Sequence, residues 1–228
     1  MNNENNIDKK DIVALAINII LVVIGLIGLI ETIIGFGNPA LEYYTQLSNY
    51  FALISATIYT VYLYKNIKGK GKAKEKNNNK EIKNTTIPKW VSILKYSSTL
   101  SLLVTFLVVV FILTPMFGLR SFSWMLLQGT NLYFHTVCPI LTFISFIFFE
   151  KHNIKGLRDN IRAMYFTMIY ATLFIILNIL RVVKGPYPFL MVHDQPIYMS
   201  IIWFIIIVGG AFALSMLIMW IKNKQENK

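Results

Sequence analysis

Long apolar segments separated by short polar ones dominate this sequence and restrict what the chain can fold into. The apolar segments are about 20 residues long, which is enough to cross about 30 Å of hydrocarbon at about 1.5 Å per residue. Of the 228 residues, 55% are hydrophobic and 14% are charged, whereas a soluble domain has about 25% charged residues. The pattern predicts an all-α fold, a polytopic integral membrane protein with a single domain, residues 1–228.

Six transmembrane helices are predicted, forming one bundle. They cover residues 12–36, 44–64, 91–117, 132–149, 163–183 and 197–221. The apolar segment within residues 118–130 is too short to cross a bilayer. It is predicted to be a short interfacial or re-entrant piece on the outer side.

Basic residues predict the orientation of this bundle. Lysine and arginine collect before the first span, after the second and fourth spans, and at the C-terminus. Because positive residues concentrate in cytoplasmic segments, both termini are predicted to be cytoplasmic in a multi-pass protein of the plasma membrane. The basic cytoplasmic loop, residues 66–89, belongs to a stretch with nine lysines between Lys65 and Lys89. It has no interleaved aromatic residues, so it predicts contact with anionic lipid head groups and not with nucleic acid.

Polar residues near the outer ends of the spans are the candidate functional groups. Polar side chains in a bilayer usually face the bundle interior or a watered cavity. Helical spacing predicts three stripes that should face one another. These stripes are Thr45, Ser48, Asn49, Ala52, Ser55 and Ala56 on the second span; Asn131, His135, Cys138, Thr142 and Ser145 on the fourth; and Thr167, Tyr170, Ala171, Phe174, Asn178 and Arg181 on the fifth.

Simpler roles compete with the functional ones. Small and hydroxyl residues also serve helix packing in membranes, and Thr45 at a helix start is a candidate N-cap. His152, beside Lys151, is predicted to be solvated. His135, His193, Asp194 and Glu31 lack the ligand spacing of a helical metal site, so neither a metal nor a cofactor is predicted.

Three blocks of the sequence resemble a known family. They are YYTQLSNYF at residues 43–51, NLYFHTVCPIL at residues 131–141 and RVVKGPYPFLMV at residues 181–192. These blocks resemble the androgen-induced-gene membrane hydrolases and their six-helix bacterial relatives. The resemblance implies an intramembrane esterase acting on fatty acid esters of hydroxy fatty acids or related acyl esters, with Thr45 and His135 as its catalytic threonine and histidine.

A mechanism follows for such an ester substrate in the membrane. Thr45 would attack the acyl carbonyl. His135, as a histidine with an unperturbed pKa of about 6.5, would accept the proton of the Thr45 hydroxyl. Glu42 is a candidate to orient His135. Further candidates for binding substrate or the oxyanion are Asn49, Arg181, Asn131 and Tyr187.

Two other functions remain open from the residues alone. The first is a small transporter or lipid-binding membrane protein that uses Glu31, His135 and Arg181 as a proton or anion relay. The second is a structural membrane protein without a ligand. A blind pocket open to the outer side would favour hydrolysis, and a continuous water path to the cytoplasmic face would favour transport.

Overall fold

The computed structural model describes residues 8–75, 87–118, 120–184 and 186–226. In these residues the regular structure is entirely helical, which confirms the predicted all-α class. The helices are α1 (Lys9–Phe36), α2 (Tyr44–Glu75), α3 (Lys89–Phe117), α4 (Ser121–Leu127), α5 (Gly129–Phe149), α6 (Leu157–Ile179) and α7 (Ile197–Glu226), with a 3-10 turn at Pro188–Leu190 before α7.

Five of these helices are long and apolar enough to cross a membrane within the described residues: α1, α3, α5, α6 and α7. Their outward faces carry large apolar side chains that a soluble protein would bury. The molecule is therefore a helical membrane protein. The predicted second span, which is now α2, does not reach the same hydropathy, because hydroxyl and amide residues interrupt its first turns and lysines fill its last ones.

α2 packs between α1 and α3. The six residues predicted to form its small and polar stripe are all buried, and they point at the neighbouring helices. Ser48 Oγ lies 2.9 Å from Thr105 Oγ1, and Ser98 Oγ donates to Ser55 Oγ at 3.0 Å. These hydrogen bonds join α2 to α3 at two levels, so the stripe acts as a helix-packing face along most of its length.

α2 is longer than the predicted span. It extends to Glu75 and so includes the first residues of the segment predicted as a basic loop, residues 66–89. Lys70 at this end pairs with Asp11 on α1 at 3.1 Å. Residues 76–86 of that loop lie outside the described part of the chain. At the other end of the bundle, the short segment within residues 118–130 contains α4.

A buried charged cluster holds together the end of the bundle that carries most of the basic residues. Lys95 and Glu150 are 1% and 2% exposed, and their charged atoms lie 3.5 Å apart. Asn18 donates to Glu150 Oε1 at 2.8 Å and accepts from Lys95 Nζ at 2.6 Å. His152 Nε2 lies 2.8 Å from Glu150 Oε2, and Lys222 donates to the Glu150 backbone carbonyl. We call these five residues the Glu150 cluster.

The cluster corrects the prediction that His152 is solvated. Its side chain is buried and stacks on Phe146, with ring centroids 4.5 Å apart. Burial alone would raise the pKa of the Glu150 carboxyl, but the Lys95 ammonium and the His152 ring lower it to about 2. Burial lowers the pKa of His152, against the opposite effect of Glu150. Breaking a buried ion pair of this kind costs about 3–5 kcal/mol, so the cluster fixes how α1, α3, α5 and α7 meet.

Candidate active site

Thr45 lies in the first turn of α2 and is buried. Its hydroxyl is 3.3 Å from Nε2 of His135 and 3.4 Å from the hydroxyl of Tyr187. Because α2 begins at Tyr44, Thr45 is not the residue that precedes the helix, and its side chain contacts these two rings and not the helix N–H groups. The geometry therefore favours a functional role for the hydroxyl over helix capping.

His135 is fixed on both ring nitrogens. Nδ1 lies 2.5 Å from the backbone carbonyl oxygen of Met125, and Nε2 faces Thr45. Because a carbonyl oxygen can only accept, the proton of the neutral ring is on Nδ1. Nε2 is then free to accept a proton from the Thr45 hydroxyl, which is the arrangement that a general base requires.

A π turn carries His135. Residues Leu132–Val137 at the start of α5 form this wider turn, which comes just before Pro139. Proline has no backbone N–H, so the carbonyl four residues before it loses its ordinary helical partner. π turns occur mostly as single turns within α-helices and are frequent at functional sites. Pro139 is therefore the sequence feature from which this π turn could have been predicted.

Tyr187 completes the contacts of Thr45. Its hydroxyl accepts the Thr45 backbone N–H at 3.3 Å, and its ring stacks on Phe189 with centroids 5.2 Å apart. Burial raises the pKa of the Tyr187 hydroxyl above its usual value. This effect is larger than the lowering of the pKa by its hydrogen bonds to Thr45. The hydroxyl therefore keeps its proton at neutral pH and can donate a hydrogen bond to a group bound beside Thr45.

A cavity of about 730 Å³ lies beside Thr45, between α3, α6 and α7. Thr45 and Tyr187 belong to its lining, and His135 is not among the described residues that line it. Along α7 the lining runs from Ile197 to Val208, a rise of about 16 Å for 11 residues at about 1.5 Å each. Ile197 is 78% exposed, so the cavity reaches the surface of the bundle beside α7. Its lining is mostly apolar.

The remaining candidates lie away from the Thr45 hydroxyl. Asn49 donates to the backbone carbonyls of Thr45 and Phe134, at 2.8 and 3.2 Å, so both of its N–H groups already serve the junction of α2 and α5. The side chain of Glu42 is exposed, and the Met125 carbonyl occupies the position from which Glu42 was expected to orient His135. The structure thus does not bring Glu42 to the imidazole.

Arg181 and Glu31 are also separate from this centre. Arg181 is exposed, has a backbone φ of 60°, and lines a recess of about 280 Å³ together with Lys184 and His193. Glu31 accepts from the hydroxyl of Thr130 at 2.9 Å. Within the described residues no hydrogen bond or ion pair joins Glu31, His135 and Arg181. The residues of the predicted relay therefore do not form one network.

Asn131 contributes to the surroundings of His135 in a way that was not expected. Its Nδ2 donates to the Trp124 carbonyl of α4 at 3.1 Å, and Thr136 donates to the Leu126 carbonyl at 2.8 Å. The α4 carbonyls could not be identified from the sequence, because a backbone atom has no residue signature. In the residues that the structure describes, no group of three or more His, Cys, Asp or Glu could hold a metal ion.

Comparison with known proteins leaves this site to be interpreted from its own geometry. The chain has no significant match to a protein-family model, to a curated protein or to a solved structure. The resemblance of its three sequence blocks to the androgen-induced-gene hydrolases therefore stays a prediction.

Proposed function

We propose that this protein is an intramembrane ester hydrolase in which Thr45 is the nucleophile and His135 the general base. One observation carries the proposal: the Thr45 hydroxyl lies 3.3 Å from Nε2 of a histidine whose other nitrogen is bonded to a carbonyl. A hydroxyl beside a base that a third group orients is the arrangement of nucleophilic catalysis. The resemblance of the sequence blocks points to the same two residues.

The reaction uses water as its second substrate. Thr45 Oγ1 attacks the ester carbonyl while Nε2 of His135 takes the hydroxyl proton. The tetrahedral intermediate collapses, the C–O bond to the alcohol breaks, and His135 returns its proton to the departing oxygen. Water then attacks the carbonyl carbon of the threonyl ester while Nε2 of His135 accepts a proton from it. The bond between the acyl carbon and Thr45 Oγ1 breaks, His135 returns the proton to Thr45 Oγ1, and the free acid leaves.

Tyr187 is the best-placed group to stabilise the oxyanion. It is protonated, buried and in contact with both the hydroxyl and the backbone N–H of Thr45. A donor aimed at the developing negative charge typically contributes about 100-fold or more to kcat. Asn49 is less suited to this role because both of its N–H groups are engaged.

The cavity supports a lipid substrate. Its mostly apolar lining, long dimension along α7 and opening at the bundle surface suit an acyl chain that enters from the membrane. With Thr45 at its edge, an acyl carbonyl has access to the nucleophile while its chain occupies the space between α3, α6 and α7. The substrate class is therefore a fatty acyl ester, including fatty acid esters of hydroxy fatty acids.

The topology of this hydrolase has six spans in the plasma membrane, with both termini cytoplasmic. In this topology α2 is a span in addition to α1, α3, α5, α6 and α7. What supports this is its buried face, which runs from Tyr44 to Leu63 alongside α1 and α3. The site then faces the outer side. The basic segment after α2 faces the cytoplasmic lipid head groups, which its lysines attract.

A lipid-binding protein without hydrolysis is the second candidate, and the same cavity favours it. A relay through Glu31, His135 and Arg181 receives less support because the described structure separates these residues. Measurement of turnover distinguishes the two candidates. A binding protein would take up acyl esters and leave them intact, and His135→Ala would not change that uptake.

The test uses purified protein in lipid nanodiscs with a fluorogenic acyl ester and a phosphonate probe. Thr45→Ala should abolish both turnover and labelling, and His135→Ala should lower kcat by about 1,000-fold or more. Thr57→Ala is the matched control, because Thr57 lies on the same helix, is exposed, and among the described residues donates to the Leu53 carbonyl alone. Wild-type turnover in Thr45→Ala and His135→Ala would exclude these two residues as a catalytic pair, the Thr45–His135 dyad.

A further inference from the structure

The short helix α4 ends against the residues that surround His135. The last carbonyl groups of any helix lack partners within it. In α4 three of them accept hydrogen bonds from α5: Asn131 donates to Trp124 O at 3.1 Å, His135 to Met125 O at 2.5 Å, and Thr136 to Leu126 O at 2.8 Å. Three consecutive carbonyls thus bind three side chains of one neighbouring helix.

The π turn explains how one face of α5 supplies all three donors. In an α-helix, residues four positions apart share a face, and the residue five positions on has turned away. A π turn bonds residues five apart and takes up one more residue per turn. Residues Leu132–Val137 form such a turn, so His135 and Thr136, four and five positions after Asn131, both return to the face that meets α4.

The other contacts of α4 in the described residues are few. Of its seven residues only Met125 and Leu126 are buried, and Phe122, Trp124 and Leu127 are each about half exposed. Further contacts come from Thr114 on α3, whose hydroxyl lies 3.7 Å from the Met125 sulfur and whose carbonyl accepts from Ser121 Oγ at 3.4 Å. The two bonds from Asn131 and Thr136 lie on either side of the Met125 carbonyl, so they help to fix its position and with it the orientation of His135.

We propose that α4 is a positioning element for His135 and that Thr136 and Asn131 are positioning residues that hold it there. This inference rests on the proposed hydrolase function for its effect on catalysis. The carbonyl end of α4 carries partial negative charge and favours the proton on Nδ1. The flanking bonds keep that carbonyl opposite Nδ1, so that Nε2 stays deprotonated and directed at Thr45.

The experiment removes one flanking bond and reads the histidine directly. Thr136→Val keeps the shape of the side chain and loses the donor, Thr136→Ser keeps the donor, and Thr142→Val is the matched control on the buried face of the same helix. Histidine labelled with ¹⁵N reports the tautomer of His135 in nanodiscs, with the signal assigned by its loss in His135→Ala. Kinetics on the fluorogenic ester report kcat and KM separately.

Thr136→Val should lower kcat about threefold to tenfold with KM unchanged, since one net hydrogen bond is lost. It should also reduce the fraction of His135 with the proton on Nδ1, and Thr136→Ser should restore both values. Asn131→Ala should change both in the same direction, and it serves as the second variant if Thr136→Val does not fold. The inference is overturned if Thr136→Val matches Thr142→Val in tautomer and kcat.

The two proposals fail separately. If the wild-type protein hydrolyses no ester but Thr136→Val changes the His135 tautomer, α4 positions the ring and the hydrolase proposal is wrong. If the wild type hydrolyses the ester and neither Thr136→Val nor Asn131→Ala changes the tautomer or kcat, the hydrolase stands and the positioning role of α4 is wrong.

Discussion

Substitution of Gly28 on α1 should disturb the Thr45–His135 dyad indirectly, through Phe134. A Cβ atom at this position would lie 2.2 Å from Cε1 and 2.5 Å from Cζ of Phe134, the residue before His135. To reach an ordinary contact of 3.4 Å, the ring of Phe134 would have to move by 3.4 − 2.2 = 1.2 Å. Phe134 is 1% exposed, so its ring is enclosed on all sides and we expect the backbone of α5 to move with it.

That movement should separate His135 from Thr45. Their 3.3 Å contact is already long for a hydrogen bond, so a further displacement of about 1 Å breaks it. Misplacement of about 1 Å can cost about 100-fold in rate. Overpacking a buried site also costs about 1–3 kcal/mol in stability, or several degrees in melting temperature.

Gly35→Ala is the matched control for Gly28→Ala. Gly35 lies on the same helix, and a Cβ atom there would meet nothing within 4 Å. Ester turnover and thermal unfolding of both variants would be measured in nanodiscs. We expect Gly28→Ala to lose about 100-fold in kcat/KM and Gly35→Ala to stay within about twofold of wild type. Equal activity in the two variants would refute the coupling between Phe134 and the dyad.

Three further outcomes are expected. Tyr187→Phe should lower kcat by about 100-fold with KM nearly unchanged, since it removes an oxyanion donor. Ala171→Phe, which fills part of the cavity, should raise KM for long acyl esters and spare short ones, as a chain-length series would show. Acidification below about pH 6.5 should lower the melting temperature, because the lowered pKa of His152 means that the folded state favours the neutral ring. The stabilisation from Glu150, whose pKa is also lowered, should persist until the pH falls below about 4.5. A melting temperature that rises between about pH 6.5 and 4.5 would contradict the assignment for His152, and one that rises below about pH 4.5 would contradict the assignment for Glu150.

The faces of the helices could be predicted from the sequence because burial of polar groups follows helical periodicity. The members of the predicted stripe from Thr45 to Ala56 on α2 are buried. The members of the stripe from Thr167 to Asn178 on α6 are buried as well. Arg181, at the end of that second stripe, follows the last turn of α6 with φ of 60° and is exposed. Helical spacing stops predicting direction where the helix ends.

The Glu150 cluster and the α4 contacts could not be predicted for two different reasons. Glu150 and His152 lie just after α5, where the sequence is that of a polar loop, and only the path of the backbone turns them inward toward Lys95. The partner of His135 is a backbone carbonyl, which every residue has. In both cases the missing information is the position of an irregular segment, and hydropathy does not contain it.

The dyad and the cavity depend on different helices, and this separation bears on how the site would work. Thr45 on α2 and His135 on α5 are held by the close contact of Gly28 on α1 with Phe134 and by the bond from Asn49 on α2 to the Phe134 carbonyl. The cavity walls come mainly from α3, α6 and α7. Most of the cavity wall is therefore separate from the contacts that set the distance between base and nucleophile, apart from the hydrogen bond between Tyr44 and Thr167 at the start of α2. Substitutions in α6 and α7 should act on KM, whereas substitutions at the α1–α5 contact should act on kcat, because only the latter change the distance across which the proton moves.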